Sequence, residues 1–406
     1  MDTVIRDKAL ELIKASVWNT AVPELNSEQA EAVYQIFKSH TILALPEKVL
    51  PQIPDLSDDL RKKWRNGIVH ILQTNFKLIS VQNSLIELLD SGNIRFAVLK
   101  GTSAACYYPD PDLRALGDID IITVPEDYDE ACNLMLSNNC IENSDADDLE
   151  TGRHRSFLWN VVEVEVHRFF AKPGTTNNAE YFDKSILNGI NETHRLDSIV
   201  NGLTLLDHVN QHLFGGLGFR QVLDWMMFAD KCINEENWQM FFNEADHIGL
   251  SKLALVLTNM CEMYLGLCPK FEYEHVDPKL CEQLLDYVVI SGNFGHTAEF
   301  KNSKYSRALS RIKTPADLYN HLQMRGIENW EYARKHKKLR RFAWIYQSGR
   351  LIKKRFTVNS NNKALKMNFN DAKDFSNMFE KLGINQSLDA KVNFNSDEYV
   401  KKIAND

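Results

Sequence analysis

Residues 96–124 read FAVLKGTSAACYYPDPDLRALGDIDIITV, and the apolar runs at the two ends of this stretch indicate two buried strands. Between them, Lys100-Gly101-Thr102-Ser103 is a turn that we expect to open a short helix. The second strand carries Asp118 and Asp120 among isoleucines. Residues two apart in a strand share a face, so both carboxylates are predicted to point the same way. Burying two neighbouring like charges is costly, and a counter-charge is therefore expected.

A second alternating stretch supplies more carboxylates. Residues 162–167 read VEVEVH, which places Glu163, Glu165 and His167 on one face of a predicted strand and the valines on the other. If this strand neighbours the aspartate strand, three or four carboxylates converge on one side of a sheet. Oxygen ligands of this kind suit Mg²⁺ or Mn²⁺. The sequence therefore predicts a Mg²⁺ or Mn²⁺ site.

The turn after the first strand is predicted to bind phosphate. It joins a strand to a helix amino terminus, where free N–H groups and the positive dipole end favour an anion. Gly101 would let a phosphate approach the backbone, and Thr102 and Ser103 offer hydroxyls. Lys100 would steady a triphosphate or serve as a structural ion-pair partner. A phosphate-binding turn beside clustered carboxylates is typical of metal-assisted phosphoryl or nucleotidyl transfer.

Residues 98–128, VLKGTSAACYYPDPDLRALGDIDIITVPEDY, resemble the signature of the uncharacterised nucleotidyltransferase family within the DNA polymerase beta-like superfamily. That superfamily pattern is a strand, a Gly-Gly or Gly-Ser turn, a short helix, Asp-x-Asp, and a third carboxylate on a later strand. One departure is Thr102 in the turn, which keeps a hydroxyl for the terminal phosphates. The similarity is expected over residues 1 to about 350, and the matching segments in order are Leu99-Lys100-Gly101, Arg114, Gly117-Asp118-Ile119-Asp120, Glu165-Val166-His167-Arg168 and the region from Asp207-His208 through His212 to Asp224.

The resemblance implies transfer of a nucleoside monophosphate from an NTP to an acceptor hydroxyl. Asp118 and Asp120 would hold two Mg²⁺ ions about 3.5–4 Å apart. Glu165 would complete the metal site and help deprotonate the acceptor, with Glu163 as the alternative third ligand. The turn at Gly101 would bind the β- and γ-phosphates. Two alternatives stay open: a nucleotide-binding regulatory module with little turnover, and a metal-dependent phosphotransferase.

Four further side chains are candidates for ligand contacts. Arg114 is predicted to contact phosphate, with loop packing against Asp110 or Asp112 as the alternative. His167, His212 and Asp224 are candidates for an acceptor site, and core packing is the rival interpretation for each. His208 and His212 have the spacing of a zinc pair, but without an HExxH motif or an evident third ligand we expect no zinc.

Composition and charge narrow the class of protein. The chain has 406 residues, 44% hydrophobic and 25% charged, with no apolar run long enough to span a bilayer. Its seven cysteines show no CxxC spacing, so free thiols in a reducing cytoplasm are expected. A net charge of −8 argues against general nucleic-acid binding. The basic stretch within 334–355 is interpreted as a solvated helix face, with docking of nucleic acid or another anionic partner as the less favoured alternative.

The pattern of predicted elements indicates an α+β fold. We expect a small mixed sheet of the polymerase beta-like type, flanked by helices, between two helical regions. The expected division is an N-terminal helical region at 1–92, a nucleotidyltransferase catalytic core at 93–198, a helical C-terminal domain at 199–356, and a polar tail at 357–406. The tail is predicted to be partly disordered or docking, with one amphipathic piece at 374–382.

Overall fold

The computed structural model describes residues 2–144, 152–295, 297, 300–301, 312, 314–357, 369–384 and 394–404. The amino-terminal part is helical, as the sequence predicted. It consists of α1 (Thr3–Trp18), α2 (Ser27–Ser39), a 3-10 turn (Leu50–Gln52) and the long helix α3 (Asp58–Ser91). Helix α2 begins at a capping box in which Asn26 and Gln29 bond each other's backbone N–H groups.

The sheet has five strands in the order β1-β2-β5-β4-β3. Strand β2 pairs with β5 in parallel, and the other neighbours are antiparallel, so the predicted α+β fold with a mixed sheet is confirmed. Strand β3 is a two-residue edge that the sequence did not indicate. The strands and the two helices between them are β1 (Phe96–Leu99), α4 (Gly101–Ala105), β2 (Ile119–Thr123), α5 (Tyr128–Ser137), β3 (Ile141–Glu142), β4 (His154–Trp159) and β5 (Val162–His167).

The two faces of the sheet pack against different parts of the chain. Phe96, Val98, Ile119 and Ile121 belong to a core that includes residues of α3 and α5. The opposite face contributes to a larger core built from the N-terminal and C-terminal helices. Because strand residues alternate between faces, Asp120 lies on this second face. The carboxylates thus point toward the large helical part of the protein.

That helical part follows the sheet in the chain. Helices α7 (Ser198–His212) and α8 (Phe219–Cys232) pack together, and their buried apolar residues belong to the same core as the second face of the sheet. The helices are α6 (Ala179–Asn188), α7 (Ser198–His212), α8 (Phe219–Cys232), α9 (Trp238–His247), α10 (Ser251–Leu265), α11 (Pro278–Ser291), α12 (Pro315–Asn329), α13 (Glu331–Lys335) and α14 (Ala343–Thr357). This part also contains 3-10 turns at Asn293–Gly295 and Lys337–Phe342, and a further 3-10 turn, Pro111–Leu113, lies between α4 and β2.

Two helices of the predicted polar tail pack against the rest of the protein. Helix α15 (Phe369–Lys381) places Met378 and Phe379 in the larger core. Helix α16 (Ser396–Ala404) is held by a hydrogen bond of 2.6 Å from the Tyr399 hydroxyl to Asp183. The other tail residues, 358–368, 385–393 and 405–406, lie outside the described part of the chain. Among the helices that are described, none combines the length and the apolar character required to cross a membrane.

Candidate active site

Three acidic residues converge where β2 and β5 run side by side. In the parallel register Asp120 is paired with Glu165, while Asp118 lies just before β2 begins at Ile119. Within the described part of the chain, Asp118, Asp120 and Glu165 each offer a carboxylate oxygen within 4.8 Å of the others. Glu163 is exposed and is not one of the three. The strands that the sequence treated as hypothetical neighbours are therefore adjacent.

Asp120 is neutralised by two cationic or donor groups. Its Oδ1 atom lies 2.7 Å from Lys100 Nζ and 2.8 Å from His167 Nε2. Burial favours the protonated carboxyl, but Lys100 and His167 hold the pKa of Asp120 well below its ordinary value. The buried carboxylate that the sequence left without a counter-charge is thus ionised and bonded on one side by the protein itself.

Asp118 is in a different situation, since no basic side chain bonds it within the described residues. The charge of Asp120, with burial as the second cause, raises the pKa of Asp118 to about 6. The residue is nevertheless exposed, so its carboxylate is open to the cleft. An added cation could therefore reach Asp118 from solvent and relieve the repulsion from Asp120.

Glu165 belongs to a second group with two histidines. Its carboxylate lies 3.2 Å from His167 Nε2 and 3.8 Å from His154 Nε2. Burial raises the pKa of Glu165, but the hydrogen bond from His167 and the charge of Lys100 bring it below its ordinary value. Burial, aided by the charge of His167, lowers the pKa of His154 to about 3. Glu165 is accordingly ionised and His154 neutral at neutral pH.

The turn after β1 has an unusual backbone. Lys100 has φ 48° and ψ −127°, and Gly101 has φ 23°. A non-glycine residue with positive φ is strained and is held there by its surroundings, here the bond from Lys100 to Asp120. The hydroxyls of this turn are already in use: Thr102 donates to Gln82 over 2.8 Å, and Ser103 donates to the Val98 carbonyl over 2.6 Å.

Two of the predicted ligand-contacting residues bond each other instead. Arg114 donates to both carboxylate oxygens of Asp224, over 3.0 and 2.6 Å, and Tyr108 donates to the same carboxylate over 2.8 Å. Both partners of the ion pair are buried. The loop is fixed further by Asn75, which bonds the Arg114 carbonyl and the Leu116 N–H. The partner of Arg114 is therefore Asp224 of α8, and not Asp110 or Asp112 of its own loop.

Helices α7 and α8 contact the segments beside the carboxylates: Asn201 of α7 donates to the Ser103 carbonyl, and Asp224 of α8 accepts from Arg114. His208 and His212 stack edge to face on α7, with ring centroids 4.6 Å apart. Burial, together with the charges of Lys100 and Arg220, lowers the pKa of His212 to about 3. His212 therefore lies within electrostatic range of the residues around Asp120. Arg220 lies on α8 and was not predicted as a site residue, because no local pattern in the largely apolar segment FRQVLDWMMF distinguishes it.

The same part of the chain matches a protein family. A protein-family profile described as "Uncharacterised nucleotidyltransferase" matches residues 26–266, which include every acidic and basic residue of the cleft described above. Comparison with curated proteins and with solved structures gives no significant match.

Proposed function

The chain belongs to the uncharacterised nucleotidyltransferase family, and from this premise we propose that it transfers a nucleoside monophosphate from an NTP to an acceptor hydroxyl. Pyrophosphate leaves as the new phosphodiester bond forms. The observation that carries this proposal is the convergence of Asp118, Asp120 and Glu165 within 4.8 Å of one another. Carboxylates grouped on adjacent strands can hold the metal ions that assist the reaction of a phosphate ester.

The donor set fits Mg²⁺ or Mn²⁺. It contains only carboxylate oxygens, which these hard cations prefer. Asp118 is exposed and lacks a bonded basic partner among the described residues, so it offers a place for added positive charge. Bound ions would supply Lewis-acid stabilisation of the charge that develops on the phosphate and leaving-group oxygens. We assign the holding of these ions to Asp118, Asp120 and Glu165.

The neighbouring side chains have supporting roles in this proposal. Lys100 and His167 keep Asp120 ionised and fix one of its oxygens in place. Glu165 also has a lowered pKa. A carboxylate that holds its proton weakly is a poor general base, so we assign Glu165 the role of a ligand rather than the deprotonation of the acceptor.

The turn at Gly101 is proposed to contact the β- and γ-phosphates through its backbone. The first N–H groups of a helix have no partner within the helix, so those of Gly101, Thr102 and Ser103 are available. The hydroxyls of Thr102 and Ser103 would have to give up their present bonds to donate to phosphate. We therefore narrow the sequence-based proposal for this turn to its N–H groups.

The proposed acceptor-site residues are affected unequally by their surroundings. His212 lies on α7, where the charges of Lys100 and Asp120 act on it, and it remains a candidate for acceptor contacts. Asp224 is bonded by Arg114 and Tyr108, and His167 by Asp120. We propose that Arg114 and Asp224 position the loop before Asp118, and that His167 orients Asp120.

Mass spectrometry tests the proposed reaction. The protein is incubated with a metabolite extract, Mg²⁺ and each NTP in turn, and both protein and extract are analysed for mass gains. A gain of one nucleoside monophosphate, absent with Asp118→Asn/Asp120→Asn, is expected. A gain of one phosphate would identify a phosphotransferase instead. Nucleotide binding without any gain would favour the regulatory module.

A further inference from the structure

Arg220 is a buried cation without a full set of partners. It lies in the first turn of α8 and is 8% exposed. Among the residues that the structure describes, its side chain forms one hydrogen bond, a long contact of 3.5 Å from Nη1 to the Ala115 carbonyl. Its Nε atom is buried and has no hydrogen-bond partner in the part of the chain that the structure describes. A guanidinium has five donor hydrogens, so most of its bonding capacity is unused.

No carboxylate forms a hydrogen bond with Arg220 in the described part of the chain, although the charges of Asp224 and Asp118 act on it. The nearest carboxylate on its own helix, Asp224, is bonded through both oxygens by Arg114. Burial and the charge of Arg114 lower the pKa of Arg220, as expected where two guanidinium groups share one carboxylate. A buried charge without a partner destabilises a fold. Its presence here needs a reason other than stability, and an anionic ligand would supply one.

The position of the guanidinium points to the cleft. A Cβ atom placed on Gly117 would lie 3.7 Å from Arg220 Nη1, and Gly117 directly precedes Asp118. On another side the ring of Phe294 covers the guanidinium, with 5.8 Å from Arg220 Cζ to the ring centroid. The same ring contacts His212, with centroids 5.0 Å apart. Arg220 therefore lies beside the acidic residues and under a cover that limits contact with water.

Phe294 is held in this position against its conformational preference. It has φ 55° and ψ 24° in the Asn293–Gly295 turn, yet its side chain is 51% exposed and not a core anchor. The turn is fixed by a hydrogen bond of 2.8 Å from Gln221 to Asn293 and by the close approach of Gly216 to Gly295. Strained residues held by a rigid frame are typical of ligand sites.

We propose that Arg220 binds a phosphate group of the nucleotide, with Phe294 as a positioning residue that covers the guanidinium. The inference rests on the proposed function and deepens it. The ring of Phe294 contacts both the Arg220 guanidinium and His212, which places Arg220 near α7 as well as near Gly117. Lys100 is bonded to Asp120, whereas Arg220 keeps donors with which it can bind phosphate oxygens in a bidentate manner.

Calorimetry with inorganic tripolyphosphate at saturating Mg²⁺ tests this site without turnover, because the probe has no nucleoside to transfer. The variants are Arg220→Gln and Arg220→Lys, and the matched control is Arg65→Gln on the exposed surface of α3. Arg220→Gln is expected to bind tripolyphosphate at least tenfold more weakly, Arg220→Lys to fall between, and Arg65→Gln to match the wild type. Phe294→Leu should weaken binding less than Arg220→Gln, with Phe76→Leu, also at an exposed phenylalanine, as its control.

Two further readouts separate this role from a structural one. The melting temperature of Arg220→Gln should equal or exceed that of the wild type, since an unpaired buried charge is removed. Its Mn²⁺ affinity without phosphate should not fall. Tripolyphosphate affinity within twofold of the wild type in Arg220→Gln would overturn the inference, as would a wild type that does not bind the probe. A raised KM for the acceptor alone would place Arg220 at the acceptor and also overturn it. In each case, product formation by the wild type would show that the proposed function stands.

Discussion

Lys100 Nζ lies 2.7 Å from Asp120 Oδ1, so the strained turn that follows β1 is bonded directly to the carboxylate at the centre of the site. The two residues also lie close in the sheet, because Leu99 is the register partner of Asp120. One hydrogen bond thus couples the proposed phosphate turn to the proposed metal ligands. A change in either group is expected to affect the other.

Replacing Lys100 by methionine should destabilise the fold, because Asp120 is 2% exposed and would keep only His167 as a partner. Breaking a buried ion pair costs about 3–5 kcal/mol in the free energy of unfolding, and the remaining bond places this case near the lower end. Mn²⁺ should restore more stability to Lys100→Met than to the wild type. Urea unfolding with and without Mn²⁺ measures both effects.

The control for this experiment is Lys63→Met. Lys63 bonds Glu31 over 2.8 Å, a similar distance, but both side chains are 47% exposed. An exposed pair adds little to stability because water and salt screen it, so the loss should be small and independent of Mn²⁺. Equal losses in the two variants would show that the bond between Lys100 and Asp120 is not specially important.

The affinity for Mn²⁺ should rise with pH up to about 6 and then level off. The repulsion from Asp120 raises the pKa of Asp118 from its ordinary 3.8 to about 6, and the carboxyl must lose its proton before it can hold a cation. Below about pH 6, Mn²⁺ binding releases one proton, so the affinity should fall about tenfold for each unit by which the pH is lowered. Mn²⁺ titration between about pH 5 and pH 7 checks this, with Glu163→Gln expected to keep the same profile. A flat profile for the wild type would contradict it.

The raised pKa of Asp118 makes the stability of the folded protein change with pH in the opposite direction to the affinity for Mn²⁺. A carboxyl whose folded pKa lies above its unfolded value binds its proton more tightly in the folded state. The contribution of Asp118 to stability is therefore present below about pH 4 and lost as the pH rises to about 6. Bound Mn²⁺ should reduce this loss, since it replaces the proton as counter-charge.

Asp224→Asn should cost about 3–5 kcal/mol in the free energy of unfolding, because it breaks the buried ion pair with Arg114 and removes a negative charge that acts on Arg220. Adding Arg220→Gln should return part of that loss by removing one of the two charges. Asp397→Asn is the control, since its pair with Arg168 over 2.9 Å is largely exposed. Chemical denaturation of the wild type, Asp224→Asn, Asp224→Asn/Arg220→Gln and Asp397→Asn measures these differences in the free energy of unfolding. A double variant less stable than Asp224→Asn would refute the charge argument.

The acidic cluster was predictable because its parts are local patterns. The alternation around Asp118 and Asp120, and again in residues 162–167, fixes which side chains share a face. The choice of Glu165 over Glu163 came from the family resemblance. The parallel register that pairs Asp120 with Glu165 agrees with that choice.

The other contacts depend on residues far apart in the chain. Arg114 and Asp224 are 110 positions apart, and each lies in a segment whose local pattern indicates only a loop or an apolar helix. The bond from Thr102 to Gln82 depends on how α3 crosses the turn, so the sequence could not show that this hydroxyl is occupied. The role of Arg220 could not be predicted for the same reason, because its lack of hydrogen-bond partners depends on how distant segments pack.

We propose that Asp118, Asp120 and Glu165 hold the divalent cation used with NTP, and calorimetric titration of Mn²⁺ with and without NTP measures this binding. Glu165→Gln is compared with Glu163→Gln, the same change two residues earlier at an exposed position outside the cluster. We expect Glu165→Gln and Asp118→Asn/Asp120→Asn to lose binding of both Mn²⁺ and Mn²⁺–NTP. Glu163→Gln should bind both as tightly as the wild type does. Wild-type affinity in Glu165→Gln or in the double aspartate variant, with each protein shown to be folded, would contradict it.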